Sequence, residues 1–76
     1  MAIYKMMLDS SIHFWSIVET ERFNEYIDKL NQVTVEYFRN DHRDLDKHEY
    51  HVFVSEETVE DAFMSGAKLI KDFISK

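Results

Sequence analysis

The 76-residue chain contains no cysteine, no proline and a single glycine. Without cysteine it can form no disulfide, no thiol nucleophile and no cysteine-ligated metal site. With one glycine it cannot build the glycine-rich loops that hold phosphates. No stretch approaches the ~20 consecutive apolar residues that cross a bilayer. These absences favour a protein that binds a partner over one that catalyses a reaction.

Carboxylates and aromatic side chains are what the chain has in excess. Fifteen Asp and Glu against nine Lys and Arg give a net charge of −6, and 14% of the residues are aromatic. The charge disfavours direct contact with nucleic acid or an anionic membrane and suits a basic partner protein, although moderate charge also keeps small proteins soluble. A chain of this length fits one domain, 1–76, with a marginal core, so self-association as a homodimer is a further expectation.

The first eight residues do not resemble a secretory signal, because Lys5 interrupts the apolar stretch and Asp9 follows it at once. The absence of cysteine fits a reducing compartment. We therefore expect a cytoplasmic protein.

A strand-turn-helix over residues 49–75 is the clearest local prediction. The strand shows alternating side chains: Tyr50, His51, Val52, Phe53 and Val54. Ser55 is expected to end this strand and to cap the helix, with Glu56 and Glu57 near the positive end of the helix dipole. Apolar residues then recur on one helical face: Val59, Ala62, Phe63, Gly66, Ala67, Ile70, Phe73 and Ile74.

Gly66 lies inside that apolar face. A glycine within a helix costs roughly 1 kcal/mol relative to alanine. We therefore expect the helix to pack closely against a sheet or another helix at this position, with a bulky neighbour filling the space.

The rest of the chain is predicted to form three strands and a second helix. Residues 2–8 and 12–19 alternate as strands around a turn at 9–11, and a helix is predicted from Glu21 to about Asn31. Residues 32–38 fit either a helix or a strand, and their β-branched and aromatic content favours a strand. A competing interpretation makes 11–31 one long helix. Residues 39–47 are predicted to be a hydrophilic loop.

The predicted element order is ββαββα. It indicates an α+β fold with one antiparallel sheet of about four strands and two helices on one face.

One cluster has residue types that bind metals: His42, Asp44, Asp46, His48 and His51. Its spacing matches no established motif, and in a strand His48 and His51 would point to opposite faces. A solvated loop is the simpler interpretation. A domain with one small core also has little room for a catalytic cleft. We expect no metal, no cofactor and no catalytic residue.

The predicted second helix bears an acidic stripe, Glu21, Glu25 and Asp28, on the side opposite its apolar face. Together with Asp44 and Asp46 it could form an acidic surface that imitates nucleic-acid phosphates and occupies the groove of a nucleic-acid-binding protein. An ordinary solvated helix face is the alternative.

An aromatic surface is the other candidate. One face of a four-stranded sheet packs on helices, and the other must meet water or a partner. Alternation places Trp15 and Ile17 opposite Phe14 and Val18, so one of these sets points away from the helices. Large apolar side chains that could form an interface core are Trp15, Phe38, Phe53 and Met64.

The sequence thus predicts a non-enzymatic protein-binding module, an acidic inhibitor or adaptor. Its composition is typical of compact inhibitors, among them those encoded by bacteriophages, although no motif identifies a family. The alternative is a structural module that forms homo-oligomers through its outer sheet face.

Overall fold

A computed structural model describes residues 2–10, 12–21, 27–40 and 45–76 of the chain, and the side chains among them except those of 36–40 and 45–47. The strands are β1 (Ala2–Asp9), β2 (Phe14–Thr20), β3 (Val33–Asn40) and β4 (Leu45–Glu56). A 3-10 turn spans Ile27–Lys29, and the helix α1 spans Val59–Ile74. The strands form one antiparallel sheet in the order β2-β1-β4-β3.

The helix α1 covers one face of this sheet, called here the inner face, and packs mainly on the central strands β4 and β1. Strand alternation sends every second side chain of these strands toward the helix. The buried core between the two layers consists of Tyr4, Met6, Leu8, Val52, Val54, Ala62, Ala67 and Ile70. The α+β architecture with a four-stranded antiparallel sheet is therefore confirmed.

Gly66 is the point at which α1 comes closest to β1. A Cβ atom added to Gly66 would lie 2.5 Å from Met6 Sδ and 3.2 Å from Met6 Cβ. Met6 is fully buried, so it occupies the space that a side chain at Gly66 would need. The predicted close packing at Gly66 is confirmed, with Met6 as the bulky neighbour.

The prediction that Ser55 caps the helix is wrong. Ser55 lies inside β4, where it pairs with Ile3 of β1, and pairing with β1 keeps the chain extended as far as Glu56. Thr58 is the cap: its backbone is extended, and its Oγ1 accepts a hydrogen bond from the Asp61 backbone N–H at 3.1 Å.

The predicted second helix, Glu21–Asn31, is not confirmed. Its residues 22–26 lie outside the described part of the chain, and the end that is described forms only the 3-10 turn. Leu30 then makes a bridge to Phe53, and the Asn31 backbone N–H donates to the Phe53 carbonyl at 2.6 Å. Asn31 has a φ of 60°, a left-handed conformation that asparagine tolerates and that no helix continues through. Pairing with β4 thus outweighs the local helical periodicity.

The strand predictions for 2–8, 12–19 and 32–38 are largely confirmed, with shifted ends. Residues 12 and 13 belong to the turn before β2, and the single long helix over 11–31 is excluded by β2 itself. The predicted loop 39–47 is shorter than expected, because β3 continues to Asn40 and β4 begins at Leu45.

Replacing Gly66 with alanine is expected to lower the free energy of unfolding by about 1–3 kcal/mol, because the new methyl group overpacks against Met6. Helix propensity alone would give the opposite result, because alanine in place of glycine would raise the free energy of unfolding by ~1 kcal/mol. Urea unfolding measures it. The double variant Met6→Ala/Gly66→Ala is the control, and its destabilisation should be smaller than the sum of the two single effects. A Gly66→Ala variant as stable as the parent would contradict the packing described here.

Thr58→Ala should destabilise the protein by about 1 kcal/mol through loss of the helix cap. Ser55→Ala is the matched control. It should cost clearly less, because Ser55 does not cap α1. Thermal unfolding measures the stability of the two variants. A larger loss of stability in Ser55→Ala than in Thr58→Ala would show that Ser55 is the cap, as the sequence predicted.

Candidate protein-binding surface

The edge strand β2 presents different side chains on its two faces. Trp15 and Ile17 point to the inner face and pack against the core, with the Trp15 ring centroid 5.9 Å from that of Phe63 on α1. Phe14 and Val18 alternate with them and therefore lie on the outer face, away from the helix. Their position follows from the register, in which Leu8 of the core pairs with Trp15.

The outer side chains of β2 are open to solvent. Phe14 is 53% exposed and Val18 is 58% exposed, and Ile12 in the preceding turn is 66% exposed. These three residues are called the β2 stripe. Single exposed apolar residues are common, but three in seven positions at one sheet edge form a patch that a partner can cover.

The backbone edge of β2 that faces away from β1 is the second feature of this strand. In the part of the chain that the structure describes, β2 pairs with β1 alone. Its sequence, FWSIVET, contains one charged residue, Glu19, near its end and no lysine, arginine or proline, and charged residues and proline commonly block edge-to-edge pairing. The other edge strand, β3, contains Glu36 and Arg39 within VTVEYFRN. Of the two edges, β2 is therefore the better template for an added strand.

At the centre of the outer face, the side chains are buried rather than exposed. Ile3 is 3% exposed and Phe53 is 8% exposed, and Asp9 and His51 are buried as well. Lys5 Nζ lies 6.0 Å from the Phe53 ring centroid, a distance at which a cation still interacts with the ring face. The outer face thus offers apolar surface at β2 and much less at its centre.

The predicted aromatic surface of Trp15, Phe38 and Phe53 is not assembled on one face. Trp15 lies on the inner face against Phe63, whereas Phe53 lies on the outer face and is buried. Phe38 is in β3, and its side chain is outside the described ones. The exposed members of the apolar set are Phe14 and Val18. Alternation identified them as one of two possible sets, but only the placement of the helix decides between the sets.

The predicted acidic surface is described in part. Glu21 follows β2 and is exposed, and Asp28 is exposed in the 3-10 turn. Glu25 and Asp44 lie outside the described residues, and Asp46 is described only by its place in β4. Glu19 adds an exposed carboxylate on β2 itself. Glu19 pairs with Tyr4 of the core and so lies on the inner face of β2, opposite Phe14 and Val18, at the same edge of the sheet.

The histidine and carboxylate cluster does not converge where it is described. His48 and His51 lie three residues apart in β4 and so on opposite faces, with His48 exposed and His51 buried. The His51 Nε2 atom lies 3.1 Å from Glu49 Oε2 on the outer face. Among the described residues no group of three His, Asp or Glu side chains is placed to hold a metal. His42 and Asp44 lie outside them.

Comparisons of the chain with protein-family models, curated proteins and solved structures found no match. No helix within the described ranges has both the length and the apolar character needed to cross a bilayer. The exposed surfaces are therefore the main guide to function.

Phe53→Ala and Phe14→Ala are expected to differ sharply in stability, although both residues lie on the outer face. Loss of the buried Phe53 ring should lower the free energy of unfolding by about 3 kcal/mol or more, whereas loss of the exposed Phe14 ring should cost less than about 1 kcal/mol. Chemical denaturation of the pair measures the difference. Equal losses would mean that Phe14 is part of the core and not of a binding surface.

Proposed function

We propose that this chain is a non-enzymatic binding protein, an inhibitor or adaptor that attaches to a basic partner protein through the edge strand β2. The observation that supports this most directly is the combination of a backbone edge that faces away from β1 and the exposed β2 stripe on one strand. Stable small proteins ordinarily cover or block such an edge. A partner that covers this edge would explain why no second strand pairs with β2 among the described residues.

The proposed mode of binding is addition of a strand. The partner supplies an extended segment that hydrogen-bonds to backbone groups of β2 before Thr20 that face away from β1, and it continues the sheet. Its alternate side chains contact Phe14 and Val18 on the outer face, so binding depends on the amino-acid sequence of the partner's segment. The hydrogen bonds supply affinity without regard to sequence, so the apolar contacts decide which segments fit.

Charge selects the class of partner. Glu19 and Glu21 are exposed at the β2 edge, and the chain carries a net charge of −6. A segment containing lysine or arginine is attracted to this edge, whereas an acidic one is repelled. Where the partner's basic surface also binds nucleic acid, the carboxylates Glu21, Glu25, Asp28, Asp44 and Asp46 would compete with phosphates for it, and the chain would act as an inhibitor.

A second candidate function shares the same edge. The β2 strands of two copies can pair with each other and join two sheets into one, which would make the chain a structural homo-oligomer. The β2 edge favours this candidate as well, but two copies would each bring a net charge of −6 to the contact. Like charges at an interface disfavour self-pairing, so a basic partner is the better candidate.

The test compares the tagged chain with its Phe14→Asp/Val18→Asp variant as bait in its native cell. A partner that uses β2 is captured by the parent and lost with the variant, and Val59→Asp, a change of an exposed apolar residue at the start of α1, is the matched control that should retain it. With the purified partner, the double variant should bind at least about tenfold more weakly. Equal capture by both baits would exclude β2 as the binding edge.

Salt dependence tests the charge argument separately. Binding of the purified partner should weaken as the salt concentration rises, and Glu19→Lys/Glu21→Lys should weaken it further at low salt. Affinity that is unchanged by salt would show that the partner is not selected by charge, even if β2 is its binding edge.

A further inference from the structure

The solvent side of α1 has apolar residues at its centre that do not pack against the sheet as the core residues of α1 do. Met64 is 71% exposed in the middle of the helix, and Phe63 beside it is partly exposed. They border a shallow groove of about 540 Å³. Its lining residues are Phe63, Met64, Ser65, Ala67, Lys68, Lys71 and Asp72.

Charged residues flank this centre in a fixed order. Within α1, from Asp61 onward, the spacing is three, four and three residues, which keeps these side chains on one helical face, and Glu57 lies just before the extended cap Thr58. The members are Glu57, Asp61, Met64, Lys68 and Lys71, and all five are exposed. This row is called the α1 seam. It is acidic toward the start of the helix, apolar in the middle and basic toward its end, where the exposed carboxylate of Asp72 lies next to Lys71 in the chain.

The helix dipole accounts for part of this order but not for all of it. Carboxylates near the start of a helix and lysines near its end are favoured by the dipole alone. The dipole gives no reason for a methionine, largely open to water, at the midpoint between the two charges, nor for a groove beside it. A partner surface that is apolar in the middle and charged at both ends would account for the order of charges, the exposed methionine and the groove.

We propose that the α1 seam binds a second copy of this chain, with the two helices antiparallel about a two-fold axis beside Met64. In this arrangement Asp61 faces Lys68 of the second copy, Glu57 lies before the helix at the end where its Lys71 is placed, and the two Met64 side chains meet in the middle. The contact is self-complementary, as a two-fold interface must be. A parallel pairing would place carboxylate on carboxylate and lysine on lysine, so the charges select the antiparallel one.

The neighbouring side chains leave the seam free to form this contact. Glu56, next to the seam, is held by a hydrogen bond from Ser65 Oγ to its Oε1 at 2.9 Å, which ties β4 to α1. The inner side of the helix is fixed on the sheet by Ala62, Gly66 and Ile70. Two copies would therefore stack as sheet, helix, helix and sheet, and the grooves beside the two Met64 side chains would lie at the contact. This inference does not rest on the proposed function, since it leaves β2 uncovered.

Sedimentation equilibrium of the full chain tests the proposal. The parent should associate to a dimer as its concentration rises, and Met64→Glu should remain monomeric because it places a charge at the two-fold axis. Glu19→Lys/Glu21→Lys is the matched control, since it changes the charge at β2 and not at the seam, and it should still dimerise. A parent that stays monomeric up to about 1 mM overturns the proposal.

Charge exchange is the more selective test. The acid-reversed variant Glu57→Lys/Asp61→Lys and the base-reversed variant Lys68→Glu/Lys71→Glu should each be monomeric, because every ion pair becomes a like-charge pair. Mixed in equal amounts, they should form a heterodimer, since the pairs are restored. Circular dichroism confirms that each variant keeps its helix. Failure of the mixture to associate, or dimers of either variant alone, would overturn the antiparallel arrangement.

The same experiments keep this inference apart from the proposed function. Loss of the dimer in Met64→Glu with partner capture retained would support both. A dimer that is broken by Phe14→Asp/Val18→Asp instead would overturn the α1 seam and favour self-pairing through β2.

Discussion

The contact between Met6 and Gly66 sets the distance between helix and sheet, and the rest of the fold depends on that distance. The chain's single glycine stands where α1 meets β1, and Met6, fully buried, fills the space it leaves. The glycine weakens the helix by roughly 1 kcal/mol, which the burial of Met6, Val52 and Ile70 offsets, since each contributes about 1.5–3 kcal/mol when fully buried. With so small a core, no other contact can replace this one.

The helix α1 lies mainly over the central strands, and among the described residues no further strand pairs with the outer edge of β2 or of β3. Pairing of β1 with β4 joins the two hairpins, and α1 packs on that pair more than on β2 or β3. The surfaces left open are therefore peripheral: the outer side of β2 and the solvent side of α1. Both have apolar residues at their centre and charges beside them, which is typical of interface surfaces and not of enclosed catalytic sites.

Local sequence patterns correctly predicted those strands and the helix whose tertiary contacts favour the same structure. Alternation found the strands, and the apolar face with its glycine found α1 and its close packing. Prediction failed where tertiary pairing overrides local preference. Ser55 has the properties of a cap, but pairing with Ile3 keeps it in β4 and moves the cap to Thr58. Residues 27–31 have helical periodicity, yet the bridge from Leu30 to Phe53 and the left-handed Asn31 turn the chain into β3.

The candidate surfaces could be predicted only as alternatives, because alternation divides each strand into two sets without showing which set meets the helix. Nothing in the sequence indicated whether Trp15 or Phe53 would be the more exposed. In the structure Phe53 is buried, and Trp15 points to the inner face and packs against Phe63. What the structure adds is the relation between the two surfaces. The β2 stripe lies on the face of the sheet opposite α1, so a dimer formed through the α1 seam keeps both stripes open and at opposite ends of the assembly. Such a dimer presents two identical edges, and a partner with two basic segments would bind it far more tightly than one edge alone allows.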